Sequence, residues 1–149
     1  MEHEYQCTSV KELNTMLRLI KPHLFADVEV IYNIGAHQYY EYPLFICTNQ
    51  HIFRIFFSDN DLSVHIYTTE EFNNMRNEDI VRYSLDLSDF DYINPNEYKP
   101  NAKICGVLPI KGCGTTANLK GVEFQFSNGS KLCIESSDLV PDAMDSWIV

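Results

Sequence analysis

Near the C-terminus a two-residue period turns back on itself, and this constrains the chain more than any other feature. Val122, Phe124 and Phe126 alternate with Glu123 and Gln125, and Leu132 and Ile134 follow Asn128-Gly129. A strand shows successive side chains to opposite faces, so a one-residue slip in pairing exchanges its buried and exposed sides. With Asn128-Gly129 alone as the loop, Phe124 would face Cys133 and Phe126 would face Lys131, leaving Leu132 and Ile134 on the wrong face. A three-residue loop, Ser127-Asn128-Gly129 with Gly129 left-handed, instead sets Phe124 opposite Leu132 and Val122 opposite Ile134. Only this register gives one apolar face, and it is the one the sequence predicts.

The same period recurs upstream. Val28, Val30 and Tyr32 alternate against Glu29, Ile31 and Asn33, Gly35 breaks the run, and β-rich residues resume from His37 to Cys47, which reads as two strands of a meander. Residues 51–57 and 62–67 flank the turn-forming cluster Ser58-Asp59-Asn60-Asp61, and residues 80–87 restore strand character. Two stretches read as helix instead. Ser9 and Glu12 have capping-box spacing ahead of Val10, Leu13, Met16, Leu17 and Ile20 at helical intervals, with Pro22 as the expected end. Thr68-Thr69-Glu70-Glu71 repeats the box for a short helix from about Glu70 to Arg76. Residues 88–103, with Pro95 and Pro100, read as a long loop, and loops of that length in compact domains are often functional. The expectation is an α+β fold, mainly an antiparallel sheet of six or seven strands with an N-terminal helix and one short additional helix, forming a single domain over residues 1–149.

Composition sets the class of partner. With 149 residues and 45% hydrophobic content the chain can bury a core without covalent staples, and nine Tyr and nine Phe argue against disorder. No apolar run approaches a bilayer span, and Met1-Glu2-His3-Glu4-Tyr5-Gln6 lacks the basic start and apolar stretch of a secretory signal, so a cytoplasmic protein is expected. Cys7, Cys47, Cys105, Cys113 and Cys133 are odd in number and include no C-x-x-C pair, which fits free thiols in a reducing compartment. The net charge of −10 repels phosphates and anionic membrane surfaces, so neither direct nucleic-acid binding nor membrane binding is expected. That charge is uneven: residues 51–100 hold four basic groups against ten acidic ones.

Three constellations could carry chemistry. Cys113, in Lys111-Gly112-Cys113-Gly114-Thr115-Thr116, has glycine neighbours that can expose a thiol and offer backbone N–H groups to an oxyanion. The same glycines describe a connecting turn, and no partner base can be assigned to it. The segment also lacks the spacing and Lys-Ser/Thr ending of a phosphate-binding loop. His3, His23, His37, His51 and His65 stand singly, without ligand spacings, although two could converge across strands; no metal and no cofactor are expected. The third is the most unusual: Asp86, Asp89, Asp91 and Glu97 interleave with Phe90, Tyr92, Ile93 and Tyr98, with nothing basic between Arg82 and Lys99. The stretch contains no glycine, which excludes an EF-hand loop. It reads either as a solvated polar loop or as a docking surface for a basic protein, where carboxylates steer and aromatics supply contact area. A further acidic group, Glu135, Asp138, Asp142 and Asp145 with Trp147, either extends that surface or caps a terminal helix.

This character, one small acidic Tyr- and Phe-rich domain carrying Asp86-Leu87-Ser88-Asp89-Phe90-Asp91-Tyr92, resembles the immunity proteins that bacteria make alongside contact-dependent or polymorphic toxins. It is similar, more loosely, to small phage-encoded inhibitors of bacterial defence systems. The resemblance implies a non-enzymatic protein that neutralises a basic partner, such as a toxin nuclease domain, by occlusion. The docking reading of the stretch itself makes Asp86, Asp89, Phe90, Asp91, Tyr92, Glu97 and Tyr98 the expected contact residues. The alternative reading is a cysteine-dependent enzyme using Cys113.

Overall fold

A computed structural model describes residues 4–32, 38–39, 43–58, 61–74, 97–111, 119–137 and 143–149. After β1 (Glu4–Cys7), α1 spans Val10–Leu24. Ser9 caps it, its hydroxyl accepting the Glu12 N–H at 3.2 Å and so satisfying one of the donors a helix start leaves unpaired. The capping box is only half formed, because the Glu12 carboxylate takes the Thr8 hydroxyl at 3.0 Å. Leu13, Met16, Ile20 and Leu24 form the buried stripe. Pro22 does not end the helix. It sits in the last turn, where a missing N–H removes a single bond, and the helix closes two residues later with the Phe25 N–H on the Lys21 carbonyl at 3.0 Å.

The fold is α+β with a mainly antiparallel sheet, but eleven strands are found among the described residues where six or seven were expected. They are β1, β2 (Asp27–Tyr32), β3 (Gln38–Tyr39), β4 (Leu44–Thr48), β5 (Ile52–Ser58), β6 (Asp61–Tyr67), β7 (Glu97–Tyr98), β8 (Ala102–Lys111), β9 (Leu119–Phe126), β10 (Lys131–Ser136) and β11 (Ala143–Ile148). A second helical segment occupies residues 69–74. The order across the sheet is β1-β6-β5-β4-β2-β8-β9-β10-β11-β3, with β7 beside the end of β2. The excess comes from four places. The N-terminal tail is β1, the supposed loop 88–103 contains β7 and the start of β8, the expected strand from His37 to Cys47 is divided into β3 and β4, and the C-terminus is a strand and not a helix. The meander is also revised, since β2 pairs with β4 while β3 lies far off beside β11. The strand expected at 80–87 lies outside the described residues.

β2 departs from its simple alternation. Val28 pairs with Thr48 and Val30 with Cys47, so Glu29 is the extra residue of a bulge. Val28 and Ile31 thereby share the inner face, and Val30 and Tyr32 turn to the other. The sheet does not stay open. β10 and β11 pack on β5, and β9 on β6, although these strands are far apart in the ladder order. The sheet therefore curls into two packed halves, β1-β6-β5-β4-β2 and β8-β9-β10-β11-β3. Phe53, Ile55, Phe57, Leu62 and Val64 from the first half meet Val122, Phe124, Leu132, Ile134 and Met144 from the second, with the α1 stripe joining the same cluster. Each such side chain contributes roughly 1.5–3 kcal/mol when fully buried.

The C-terminal hairpin has the expected register, Phe124 opposite Leu132 and Val122 opposite Ile134. Phe126 N–H bonds to the Ser130 carbonyl at 3.0 Å, leaving the three-residue loop, and Gly129 has φ +89°. The loop also holds a bend elsewhere. Ser127 N–H donates to the Lys103 carbonyl at 2.8 Å, its hydroxyl accepts the Lys103 N–H at 3.1 Å, and Asn128 Nδ2 donates to the Pro100 carbonyl at 3.2 Å. Between these contacts Asn101 takes a left-handed φ of 52°, turning the chain from β7 into β8. Gly129→Ala meets no steric obstacle, since nothing lies within 4 Å of the added Cβ. It should still destabilise by about 1 kcal/mol through the backbone conformation alone. Urea unfolding checks this, and an unchanged midpoint would remove the left-handed turn from the account.

Candidate interaction face

Asp86, Asp89, Phe90, Asp91 and Tyr92 lie outside the described residues, as does Cys113; of the acidic stretch the downstream end, Glu97 and Tyr98, is described. Upstream, Thr68 and Glu71 form a complete capping box: the Thr68 N–H donates to Glu71 Oε1 at 2.9 Å, and the Glu71 N–H donates to the Thr68 hydroxyl at 3.1 Å. This starts the helical segment that carries Phe72, which is buried with Phe45, Cys47 and Ile52 on the outer side of the first half-sheet. The Phe72 and Phe45 rings meet edge to face at 5.0 Å. Downstream, Glu97 is exposed and pairs with Tyr32, which packs on that same outer cluster. Tyr98 pairs with Ile31 and packs, half-buried, against the main core. Glu97 and Tyr98 thus face opposite sides of the sheet, as neighbouring strand residues must.

The second half-sheet presents a continuous outer face. The ladder sets Leu108, Glu123, Cys133 and Trp147 in one row across β8, β9, β10 and β11. The next row holds Ile110, Gly121, Glu135 and Asp145. Leu108 is 48% exposed and Trp147 39%, whereas Cys133 beneath them is buried. Gly121 is required here, because a Cβ would collide with the Ile134 carbonyl oxygen. Lys120 sits in a bulge, with Leu119 paired to Lys111 and Gly121 to Ile110, and its Nζ lies 4.0 Å from Glu135. Lys131 lies 3.8 Å from Glu123, which also accepts a hydrogen bond from Gln125 at 3.1 Å. Of the C-terminal acidic group, Glu135 and Asp145 are therefore cross-strand partners on the face that carries Trp147. Asp138 and Asp142 lie outside the described residues.

The described cysteines Cys7, Cys47, Cys105 and Cys133 are not in disulfides, and Cys105 alone of these is exposed. Burial, then Glu12 and Asp61, push the Cys7 thiol up to about 11, and its Sγ contacts the Met16 sulfur at 3.5 Å. Burial, then Glu123 and Glu135, likewise raise Cys133. Such thiols remain protonated at neutral pH and are poor nucleophiles. His23 at the end of α1 and His51 in the β4–β5 turn meet with ring centroids 4.8 Å apart, brought together by a helix and a turn and not across strands. Among the described residues no three His, Cys, Asp or Glu side chains are placed to hold a metal ion. No described helix is long and apolar enough to cross a membrane.

Sequence reasoning missed the outer face because two of its four strands were not read as strands. Met144, Asp145, Ser146, Trp147 and Ile148 alternate inward and outward as a strand requires, but polar Ser146 faces in and Trp147 faces out, so no apolar alternation marks the strand in the sequence. No protein-family model, curated protein or solved structure matches the chain.

Two outcomes follow from the titrating groups. In a Cys113→Ser background, a thiol reagent at neutral pH should label Cys105 first and Cys7, Cys47 and Cys133 only on unfolding, read by mass spectrometry; early loss of Cys7 or Cys133 would contradict their burial. Asp61, whose Oδ1 is shielded without a hydrogen-bond donor among the described residues, has its pKa raised by burial and by Glu12. A raised carboxyl pKa favours the protonated fold, so its contribution is present below the unfolded value and is lost as pH rises through the folded value. Asp61→Asn should therefore raise the thermal midpoint at neutral pH, with the gain shrinking toward about pH 3. A gain independent of pH would exclude the charge as its cause.

Proposed function

We propose that this protein binds and neutralises a basic protein partner, by occlusion and without chemistry of its own, in the manner of a toxin immunity protein. The observation that carries the reading is the one described end of the acidic aromatic stretch, where Glu97 is exposed and stands opposite Tyr32 at the outer side of the first half-sheet. Before it the stretch holds Asp86, Asp89 and Asp91 with Phe90 and Tyr92, and no basic residue follows Arg82 until Lys99. Carboxylates gathered in one stretch would steer a cationic surface, and the net charge of −10 adds to that field. The aromatics would then hold what the charges collect. A nuclease domain fits as partner, since its substrate groove is basic for the same reason that this stretch is acidic.

Charges and aromatics should separate kinetically. With a cationic partner isolated from the source cell, Asp89→Asn combined with Asp91→Asn should slow association several-fold at low salt and much less at high salt. Tyr92→Ala should instead speed dissociation, by about 2 kcal/mol if the ring is a hot spot. Surface plasmon resonance reads both. Kinetics unchanged in every variant would contradict this role for the stretch.

A further inference from the structure

We propose that the cleft between the open edge of β1 and the exposed flank of α1 is a strand-addition site, in which an extended cationic segment of the protein partner pairs its backbone with Glu4 and Gln6 and lays apolar side chains against α1. The inference rests on the reading above that the partner is cationic, and adds a second contact, apart from the acidic aromatic stretch, with a stated backbone conformation.

β1 ends the ladder, with β6 on one side and no described strand along the other. Backbone groups along a strand point alternately to its two sides. Ser58 and Asp61 are the closing pair of the β5–β6 hairpin, so Asp61 and Ser63 bond toward β5 while Leu62 and Val64 turn their N–H and C=O groups toward β1. Their partners in β1 are Cys7 and Tyr5, which leaves the backbone of Glu4 and Gln6 directed to the open side. Thr8, next in that alternation, points the same way, since its carbonyl accepts the Leu119 N–H of β9 at 3.4 Å. The edge carries neither lysine nor proline and its pairing with β6 has no bulge, so it lacks the usual devices that stop an exposed strand from pairing. Beside it lies a cleft of about 480 Å³, lined in part by Tyr5, Gln6, Ser9, Glu12, Met16 and Leu19. A strand edge on one wall and a helix on the other receives an extended peptide well, because the backbone supplies affinity and alternate side chains enter between the two elements. Leu19, 59% exposed, offers those side chains an apolar contact on α1. The charges select the occupant. Glu4 stands on the edge, Glu12 lines the cleft, and Asp61 lies near enough to Glu12 to be raised by it, whereas Lys11 is the only basic residue among the described lining residues. A second copy of the chain would bring the same carboxylates and its own net charge of −10 to the edge, so a cationic segment is the favoured occupant.

The intact protein is titrated at low salt with a capped heptapeptide of alternating lysine and valine, with the same peptide N-methylated at every residue, and with a glutamate–valine counterpart. Affinity is read by calorimetry and amide protection by hydrogen exchange followed by NMR. The lysine–valine peptide should bind saturably and slow exchange of the Glu4 and Gln6 amides about tenfold or more, with little change at Tyr5 and Cys7, which already bond to β6. The N-methylated peptide should lose about tenfold or more in affinity, the scale of two or more missing hydrogen bonds. The glutamate–valine peptide should bind more weakly than the lysine–valine one, by a margin that shrinks at high salt. Gln6→Pro removes the outward N–H at an edge position where proline is tolerated, and should abolish binding with the fold unchanged by circular dichroism. If that variant unfolds, the N-methylated peptide makes the same test on the native chain, and Leu19→Lys, at an exposed helix position, should weaken binding several-fold. Equal affinity for the N-methylated peptide, or binding that leaves Glu4 and Gln6 unprotected, would overturn the strand-addition site. A dimer in sedimentation that Gln6→Pro dissociates would overturn it too, because a second copy would then hold the edge. Failure of the lysine–valine peptide to bind would overturn this cleft alone, whereas preference for the glutamate–valine peptide would overturn it and count against a cationic partner as well.

Discussion

β8 carries two strand neighbours along its length, β2 at Ala102 and Lys103 and β9 from Ile104 onward, and the main core depends on that change of partner. A strand that stayed with β2 would leave β9–β11 without a place in the sheet. The left-handed Asn101 bends the chain into β8, and a bulge at Cys105 shifts its pairing with β9 just past the exchange. Bulges increase local twist, which is what allows one continuous ladder to curl into two packed halves. The Ser127 and Asn128 contacts to Lys103 and Pro100 then tie the distal hairpin to the bend.

Inside and outside of this curled sheet obey different energetic scales. Phe53 and Phe57 are fully buried, and a side chain of that size contributes about 1.5–3 kcal/mol. A surface ion pair such as Lys120 with Glu135 contributes at most about 1 kcal/mol. The strand is therefore held by Leu132 and Ile134 on its buried side more than by the charges on its outer side. The same difference explains how a chain of net charge −10 can hold a compact fold; among the described residues no carboxylate is fully buried.

Much of the fold was legible where one local rule decided the outcome. The hairpin register followed from matching Val122 and Phe124 to Leu132 and Ile134, and both helix starts followed from hydroxyl-to-glutamate spacing. The misses have physical causes as well. β8 contains Gly106 and Pro109, which suppress strand propensity, yet beyond Lys103 it pairs on one side only among the described residues, where a proline can be accommodated. The slip at Glu29 was hidden because Val30 and Ile31 are both apolar and either could have faced the core. Of the site, charge and aromatic content were legible one segment at a time. The meeting of Leu108, Glu123, Cys133 and Trp147 depends on pairing among four strands, and no local pattern encodes it.

If both halves of the curled sheet depend on a common core, they must open together. Native-state hydrogen exchange at increasing denaturant measures this directly. The account predicts that the most protected amides of β5 and β6, including Phe53 and Val64, and those of β9 and β10, including Phe124 and Leu132, converge on a single opening free energy equal to that of global unfolding. Two separate isotherms, with β8–β11 opening well before β4–β6, would contradict the claim that the halves form one cooperative unit around a shared interior.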